Sequence, residues 1–198
     1  TARRFCCWPT MATMPGVVVS RITTKRCPVL PTMLPAKDGQ SIYTTVHDGG
    51  TLQIYQITLS GAESCKPLSS SRTQSTVLMD CSDQYMLCAV ANFNDPGNLH
   101  LMDLSGKAPR QLTDLNSEAL ETMALGTVKP FTYTNDSGNE IEGWVMLPPT
   151  GKPPYPTVLY IHGGPHSAYG NLFSFDYHML SGAGYAVLFT NPRGSGGY

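Results

Sequence analysis

Residues 157–166 read Thr-Val-Leu-Tyr-Ile-His-Gly-Gly-Pro-His, an apolar run that passes directly into a pair of glycines. A second apolar run, residues 186–190, reads Ala-Val-Leu-Phe-Thr. Continuous apolar runs are typical of strands that are buried on both faces, as in a parallel sheet covered by helices. The two runs therefore predict neighbouring strands of a parallel sheet.

The segment between these two runs has the spacing of a short helix. Phe173, Tyr177 and Leu180 stand at positions i, i+4 and i+7, which places them on one helical face. Gly182 and Gly184 can end such a helix. Strand, helix and strand together predict a βαβ unit.

Upstream of this unit the pattern is that of antiparallel hairpins. Residues 131–134 and 141–147 flank a turn that contains Asp136-Ser-Gly138, which supplies the positive-φ position that a tight connection needs. Four further strand-like runs are separated by glycine-containing turns: residues 41–46, 52–59, 85–91 and 99–104. Outer strands are expected at residues 66–68 and 110–113, and residues 1–35 predict loops with an edge strand at residues 17–19.

Two of these hairpins resemble each other. The pairs Ser60-Gly61 and Ser105-Gly106 stand 45 residues apart, and so do Asp38 and Asp83. A period of about 40–50 residues with four short strands per unit is the signature of propeller blades. An antiparallel sandwich with regular hairpins is the alternative. Because two blades cannot close a ring, the propeller interpretation expects further blades before Thr1.

The change from alternating to continuously apolar strands divides the chain. Residues 1–126 are expected to be the C-terminal blades of an incomplete, all-β propeller. Residues 127–198 are expected to begin an α/β domain. The boundary falls in a connecting segment near residues 117–130.

The glycine pair after the first apolar run carries the chemistry. Strand C-termini are where α/β sheets build their sites, and two consecutive glycines let main-chain N–H groups face a cleft. In α/β-hydrolases a glycine-rich loop after the third strand supplies one oxyanion-hole donor. Taken alone, His162-Gly-Gly-Pro165 is also compatible with a structural turn. A second glycine-rich stretch, Asn191-Pro-Arg-Gly-Ser-Gly-Gly-Tyr198, ends the next strand at the same edge.

In order along the chain stand Gly143-Trp144, Leu147-Pro-Pro149, Tyr155-Pro-Thr157, His162-Gly-Gly-Pro165, Gly184-Tyr185 and Asn191–Tyr198. This combination resembles the prolyl oligopeptidase family of serine peptidases, in its acylaminoacyl-peptidase and dipeptidyl-aminopeptidase-like branch. The resemblance covers residues 128–198 well and the hairpin repeats more loosely. It implies a propeller that screens an α/β-hydrolase domain, with short peptides as substrates and no cofactor.

For single residues the resemblance implies an oxyanion-hole role for the main-chain N–H of Gly164, within the loop formed by His162, Gly163 and Pro165. Other members place a tyrosine where His162 stands, so the donor here should be main chain. His162 is interpreted as an anchor of the loop, with participation in catalysis as the alternative. Arg193 is expected to support the second loop through hydrogen bonds, and His166 to lie at a cleft rim or surface.

A catalytic triad is not visible in the sequence. No Gly-x-Ser-x-Gly motif occurs, and Ser195 follows Arg193-Gly194 instead. In α/β-hydrolases the triad runs in the order serine, acid, histidine, so all three residues are expected after Tyr198. The chain alone is expected to be inactive. Alternatives are an esterase-like α/β-hydrolase, which predicts no propeller, and a non-catalytic binding module.

The composition of the chain argues against several other classes of protein. With 41% hydrophobic and 14% charged residues the chain is globular. The net charge is −1 and the sequence has no basic run, so no electrostatic footprint for nucleic acid or an anionic membrane is visible, and neither partner is expected. The six cysteines show no zinc-ligand spacing, so neither a metal site nor a disulfide framework is expected. Without an apolar leader segment the expected location is cytoplasmic, and whether a full-length protein forms homo-oligomers stays open.

Overall fold

The computed structural model describes residues 33–59, 65–163 and 166–198. Their strands form three four-stranded sheets, none of which closes on itself. The edge strand predicted at residues 17–19 and the Ser60-Gly61 turn lie outside the described residues.

The first two sheets are antiparallel meanders with their strands in chain order, which is the strand order of a propeller blade. The first sheet contains β1 (Met33–Pro35), β2 (Ser41–Asp48), β3 (Thr51–Thr58) and β4 (Cys65–Pro67). The second contains β5 (Ser75–Cys81), β6 (Tyr85–Asn92), β7 (Asp95–Asp103) and β8 (Arg110–Gln111). Both predicted hairpins and both predicted outer strands are therefore present.

The repeat holds in the structure with a spacing one residue shorter than predicted. The Asp38 carboxylate accepts hydrogen bonds from the main-chain N–H groups two and three residues further on, which fixes the turn into β2. The Ser82 hydroxyl oxygen accepts the equivalent two hydrogen bonds, from the main-chain N–H groups two and three residues further on, at the start of β6. Asp83, which the sequence aligns with Asp38, instead forms a surface ion pair with Lys37.

The two blade sheets share one apolar core. Its fully buried members come from both sheets, among them Ile54 of β3 and Leu78, Met86 and Cys88 of β5 and β6. β5 was not predicted from the sequence, because a register shift between Leu78 and Asp80 interrupts its period-two alternation. Burial raises the pKa of the Cys88 thiol to about 11, so this cysteine is an inert core residue.

The remaining elements build a mixed sheet with the order β11-β12-β10-β9. They are α1 (Ser117–Glu121), β9 (Thr127–Thr134), β10 (Glu140–Leu147), β11 (Thr157–Leu159), α2 (Phe175–Gly182) and β12 (Ala186–Asn191). β11 and β12 pair in parallel through Thr157↔Ala186, Val158↔Val187 and Leu159↔Leu188. The predicted βαβ unit is thus present, and the hairpin before it pairs as expected.

Three details of this sheet differ from the prediction. β9 begins four residues earlier than predicted, at Thr127, because an edge strand tolerates Pro130. The helix begins at Phe175, so Phe173 precedes it and stacks on His178 at a ring-centroid distance of 4.8 Å. The prediction that both parallel strands are buried on both faces is right for β12 and wrong for β11. Leu159 is 56% exposed because β11 pairs only with β12 among the described strands.

A second apolar core lies beneath the mixed sheet and includes one residue from a blade. Trp144, Met146, Val187 and Phe189 of β10 and β12 pack with Tyr177 of α2, and all five are buried. Phe93, at the turn between β6 and β7, packs against both the Trp144 and the Phe189 ring, with centroid distances of 6.1 and 5.8 Å. A blade turn therefore completes the core of the α/β part.

Candidate active-site loops

Two glycine-rich loops leave the same edge of the mixed sheet. Because β11 and β12 run in parallel, their carboxyl ends lie side by side. We call residues 161–171 the first glycine loop and residues 192–198 the second glycine loop. Carboxyl edges of parallel strands are where α/β proteins place ligands and catalytic groups.

A hydrogen bond joins the two loops near their origins. His162 Nε2 lies 2.8 Å from Ser195 Oγ, and the Ser195 hydroxyl lies 2.7 Å from the Pro192 carbonyl oxygen. His162 Nδ1 lies 3.2 Å from the carbonyl oxygen of Gly163. The histidine side chain thus contacts one group in each loop, which is the arrangement that a loop anchor requires.

Although Ser195 and His162 form a serine–histidine pair, their surroundings do not suit a nucleophile. Ser195 is only 4% exposed, and its hydroxyl is within hydrogen-bonding distance of the Pro192 carbonyl oxygen. Within the described residues no carboxylate contacts His162 to orient it as a base, whereas a triad needs such a third group. The pair joins the loops and lacks the third component of a triad.

A second, more deeply buried contact joins Asn191 and Tyr169. The Asn191 side-chain oxygen accepts a 2.8 Å hydrogen bond from the Tyr169 main-chain N–H, and its amide group donates a 2.9 Å bond to the Tyr169 carbonyl. Asn191 is 1% exposed. One buried side chain therefore satisfies both main-chain groups of a loop residue, which fixes the first glycine loop against the end of β12.

The Tyr169 ring belongs to an aromatic cluster under the first glycine loop. It meets His162 edge to face at 5.1 Å and Phe189 at 5.5 Å, and contacts Tyr160 and Tyr177 at 6.3 and 6.1 Å. Burial raises the pKa of Tyr169 to about 12, so the phenol is neutral at physiological pH. Its hydroxyl finds no hydrogen-bond partner in the part of the chain that the structure describes.

The other predicted site residues are placed as follows. Gly163 and His166 are exposed, and His166 Nδ1 lies 3.2 Å from the Gly194 carbonyl oxygen in the second loop. Gly164 and Pro165 lie outside the described residues, so the oxyanion role of Gly164 stays a prediction. The guanidinium of Arg193 is exposed and makes no hydrogen bond to the described residues, and Asn191 and Ser195 make the cross-links of the second loop.

A blade turn reaches the far end of the first glycine loop. The Gly50 carbonyl, between β2 and β3, accepts hydrogen bonds from the Asn171 main-chain N–H at 2.8 Å and from its side-chain amide at 2.9 Å. On the other side of this turn, Tyr198 donates a hydrogen bond to Glu142 of β10. Burial and that bond raise the pKa of Tyr198. A Cβ at Gly197 would lie 2.9 Å from the His47 Cβ of β2, so both glycine loops adjoin the blade.

Three of these contact residues received no role from the sequence: Tyr169, Asn171 and Asn191. Asn191 is the first residue of a glycine-rich motif, and its position as the last residue of a buried strand is the signal that could have identified it. Gly170-Asn171 carries no such signal, because its partner Gly50 lies 121 residues from Asn171 in sequence.

The described residues contain no cluster of three or more His, Cys, Asp or Glu side chains that could hold a metal ion. Among their helices, none has the length and apolar character needed to cross a membrane. Cys65, Cys81 and Cys88 are free thiols.

Comparison with known proteins finds peptidases among the relatives of this chain. No protein-family model matches the chain. The chain is 32% identical over 164 residues to the uncharacterized peptidase YuxL of Bacillus subtilis, a match over 82% of this chain and 25% of that protein. It is 29% identical over 118 residues to dipeptidyl-peptidase 5 of Porphyromonas gingivalis, over 57% of this chain and 17% of that protein.

Among solved structures, the uncomplexed acylaminoacyl peptidase of Pyrococcus horikoshii superposes with a TM-score of 0.68 at 25% identity, over 84% of this chain and 25% of that chain. An orthorhombic crystal form of the same peptidase gives a TM-score of 0.68 at 24% identity. The chain spans about a quarter or less of the length of these relatives.

Proposed function

We propose that this chain, which is related to the serine peptidases of the prolyl oligopeptidase family, supplies the last propeller blades and the first part of the α/β-hydrolase domain of such an enzyme. The enzyme would hydrolyse short peptides and release aminoacyl or acylaminoacyl groups through an acyl-enzyme. Its serine, acid and histidine would follow Tyr198 in sequence.

Two loops joined at the carboxyl edge of a parallel strand pair support this function best. His162 contacts Ser195, and Asn191 holds Tyr169, so the first and second glycine loops form one surface at the end of β11 and β12. The nucleophile turn of an α/β-hydrolase belongs at this same edge of the sheet. The edge thus offers a pre-organised place for an oxyanion donor beside a serine.

In this proposal the main-chain N–H of Gly164 donates to the oxyanion that forms when the serine attacks the peptide carbonyl. The loop would contribute by holding that donor in place before the reaction, because pre-organised donors need no reorganisation in the transition state. Loss of one such donor typically lowers the rate by about 10²–10³-fold. His162 would act only as the anchor beneath the loop.

Ser195 would not be the nucleophile. Its hydroxyl is buried against the Pro192 carbonyl, and the residues around it lack the Gly-x-Ser-x-Gly elbow that exposes a nucleophilic serine. A Ser195→Ala variant of the full-length protein should therefore keep peptidase activity and lose only the hydroxyl contacts with His162 and with the Pro192 carbonyl oxygen.

The blades would act as the gate of the enzyme. Turns from both described blades reach the α/β part, one through Gly50 and the other through Phe93, so the blades adjoin the loops that would hold substrate. A propeller in this position restricts entry to short or unfolded peptides. The substrate itself would bind between the blades and the two glycine loops.

Turnover of chromogenic peptides by the full-length gene product tests this function. Acetyl-aminoacyl and dipeptidyl p-nitroanilides should be hydrolysed, and a serine-directed phosphonate should abolish the activity. The 198-residue chain, assayed in parallel, should be inactive. Hydrolysis of esters without hydrolysis of peptides would favour an esterase, and a folded full-length protein without either activity would favour a binding module.

A further inference from the structure

Gly50 and Asn171 connect the blade turn to the first glycine loop, and we call their contact the joint. One carbonyl oxygen accepts two hydrogen bonds from a single residue, at 2.8 and 2.9 Å. Asn171 is only 6% exposed, so water does not compete freely for these bonds. A buried side-chain amide that lost its acceptor would carry the full cost of desolvation.

The glycines on both sides of this joint leave no room for a side chain. A Cβ at Gly170 would lie 2.7 Å from the Gly50 carbonyl oxygen, and a Cβ at Gly50 would lie 2.2 Å from the Trp144 ring. Real Cβ atoms essentially never approach a main-chain oxygen this closely. The blade turn is therefore fitted between β10 and the first glycine loop.

From this joint a short series of contacts leads to the start of the loop. Asn171 lies two residues after Tyr169, whose main-chain groups Asn191 holds. The Tyr169 ring packs on His162, at a centroid distance of 5.1 Å. The described part of the loop is thus held by His162 near its start and by Tyr169 and the blade turn near its end.

We infer that Asn171 is a positioning residue through which the β2–β3 blade turn sets the conformation of the first glycine loop. The inference rests on the proposed function, because it assigns that loop to the oxyanion hole. The blade would then do more than restrict entry: its Gly50 carbonyl would complete the support of the catalytic loop. A shift of the blade would move the oxyanion donor and thereby change the rate of the chemical step.

Two substitutions at Asn171 separate positioning from simple packing. Asn171→Ala removes the side-chain donor, and Asn171→Asp keeps the shape but turns a carboxylate oxygen toward the Gly50 carbonyl. Both keep the main-chain hydrogen bond. Gly182→Ala serves as the matched control, because a Cβ there meets nothing within 4 Å. The variants are made in the full-length protein.

The kinetic readout is kcat per active site, with sites counted by titration with a fluorophosphonate. Because an oxyanion contact forms only in the transition state, both Asn171 variants should lower kcat and kcat/KM together, by about 10- to 100-fold, with KM nearly unchanged. Gly182→Ala should match the wild type. If the Asn171 variants lose only titratable sites and keep kcat per site, Asn171 is merely structural and the inference is wrong.

Hydrogen exchange tests the same joint without catalysis. Both Asn171 variants should exchange faster in the peptides that cover residues 48–52 and 166–172, while the peptides of β6 and β7 stay protected. Unchanged exchange in both regions would overturn the inference even if the protein has no peptidase activity. If both variants exchange faster but the wild-type full-length protein has no peptidase activity, the role of Asn171 at the blade turn is kept and the proposed function is rejected.

Discussion

The carbonyl oxygen of Phe93 accepts a 2.7 Å hydrogen bond from His178 Nε2. Phe93 lies at the β6–β7 turn of the second blade, and His178 lies in α2 of the α/β part. Both residues are buried, at 8% and 9% exposure. Blade and α/β part are therefore joined by a polar contact at the same place where the Phe93 ring enters the second core.

Truncation of the Phe93 side chain should destabilise both parts together. Phe93→Ala removes a ring that packs against Trp144 and Phe189, and such core truncations cost about 3–5 kcal/mol. The loss is measured as a lower free energy of unfolding in urea. Phe131→Ala, at a half-buried position on the edge strand β9, should cost clearly less. Equal losses at the two positions would mean that the Phe93 contact adds nothing to the core.

The buried His178 should make stability depend on pH. Desolvation lowers the pKa of His178 below 6.5, with the bond to Phe93 opposing this in part. Between the lowered folded value and about 6.5 the unfolded chain binds a proton that the folded chain does not, so stability falls as the pH falls through this range.

The melting temperature at about pH 7.5 should therefore exceed that at about pH 5.5, and His178→Gln should reduce the difference. Burial lowers the pKa of His47 as well, so part of the slope should persist. Substitution of the exposed His166 by Gln is the control. A slope that is the same in His178→Gln and in the wild type would contradict the assignment.

The two hydrogen bonds between Asn191 and the main chain of Tyr169 should stabilise the first glycine loop measurably. Asn191→Ala leaves the Tyr169 main-chain N–H and carbonyl without these partners in a partly buried place, at up to about 1–3 kcal/mol for each lost group. Thermal denaturation should show the loss, and hydrogen exchange should show faster opening of the peptide around Tyr169. Arg193→Ala, on an exposed side chain, is the control and should leave both readouts unchanged. Slow exchange at Tyr169 in Asn191→Ala would show that other contacts hold the loop.

The open edge at β11 should cause the isolated 198-residue chain to associate. Leu159 and Ile161 are 56% and 75% exposed beside a strand edge that pairs with no described strand, a combination that favours edge-to-edge pairing. Light scattering after size-exclusion chromatography should detect species larger than a monomer, and Leu159→Lys should shift them toward the monomer. A monomeric wild-type chain with a cooperative melt would contradict this expectation.

The sequence predicts the local architecture of this chain well, because that architecture follows from periodicity. Alternation and turn residues predict the hairpins of both blades, and two apolar runs predict the parallel pair β11 and β12. Predicted strand bounds are wrong where a local sequence signal conflicts with the position of the strand in the sheet. Pro130 is tolerated because β9 is an edge strand, and Met79 lies where the register of β5 shifts.

Contacts between distant segments could not be predicted in this way. The spacing of His162-Gly-Gly-Pro165 indicates a loop with chemistry, but it does not say that His162 meets Ser195 or that Asn171 meets a blade turn. Such pairs depend on how two sheets pack, and the small residues that permit the approach resemble ordinary turn residues. Only the structure shows that the Gly50 carbonyl excludes a side chain at Gly170 and that the Trp144 ring excludes one at Gly50.

The central claim is that this chain provides the gate and the oxyanion loop of a serine peptidase whose nucleophile lies elsewhere. The most direct measurement is the site of covalent labelling when the full-length protein reacts with a biotinylated fluorophosphonate and is digested for mass spectrometry. We expect one labelled serine outside residues 1–198 and loss of peptide hydrolysis in proportion to labelling. A label on Ser195, or full peptide hydrolysis without any labelled serine, would contradict the account.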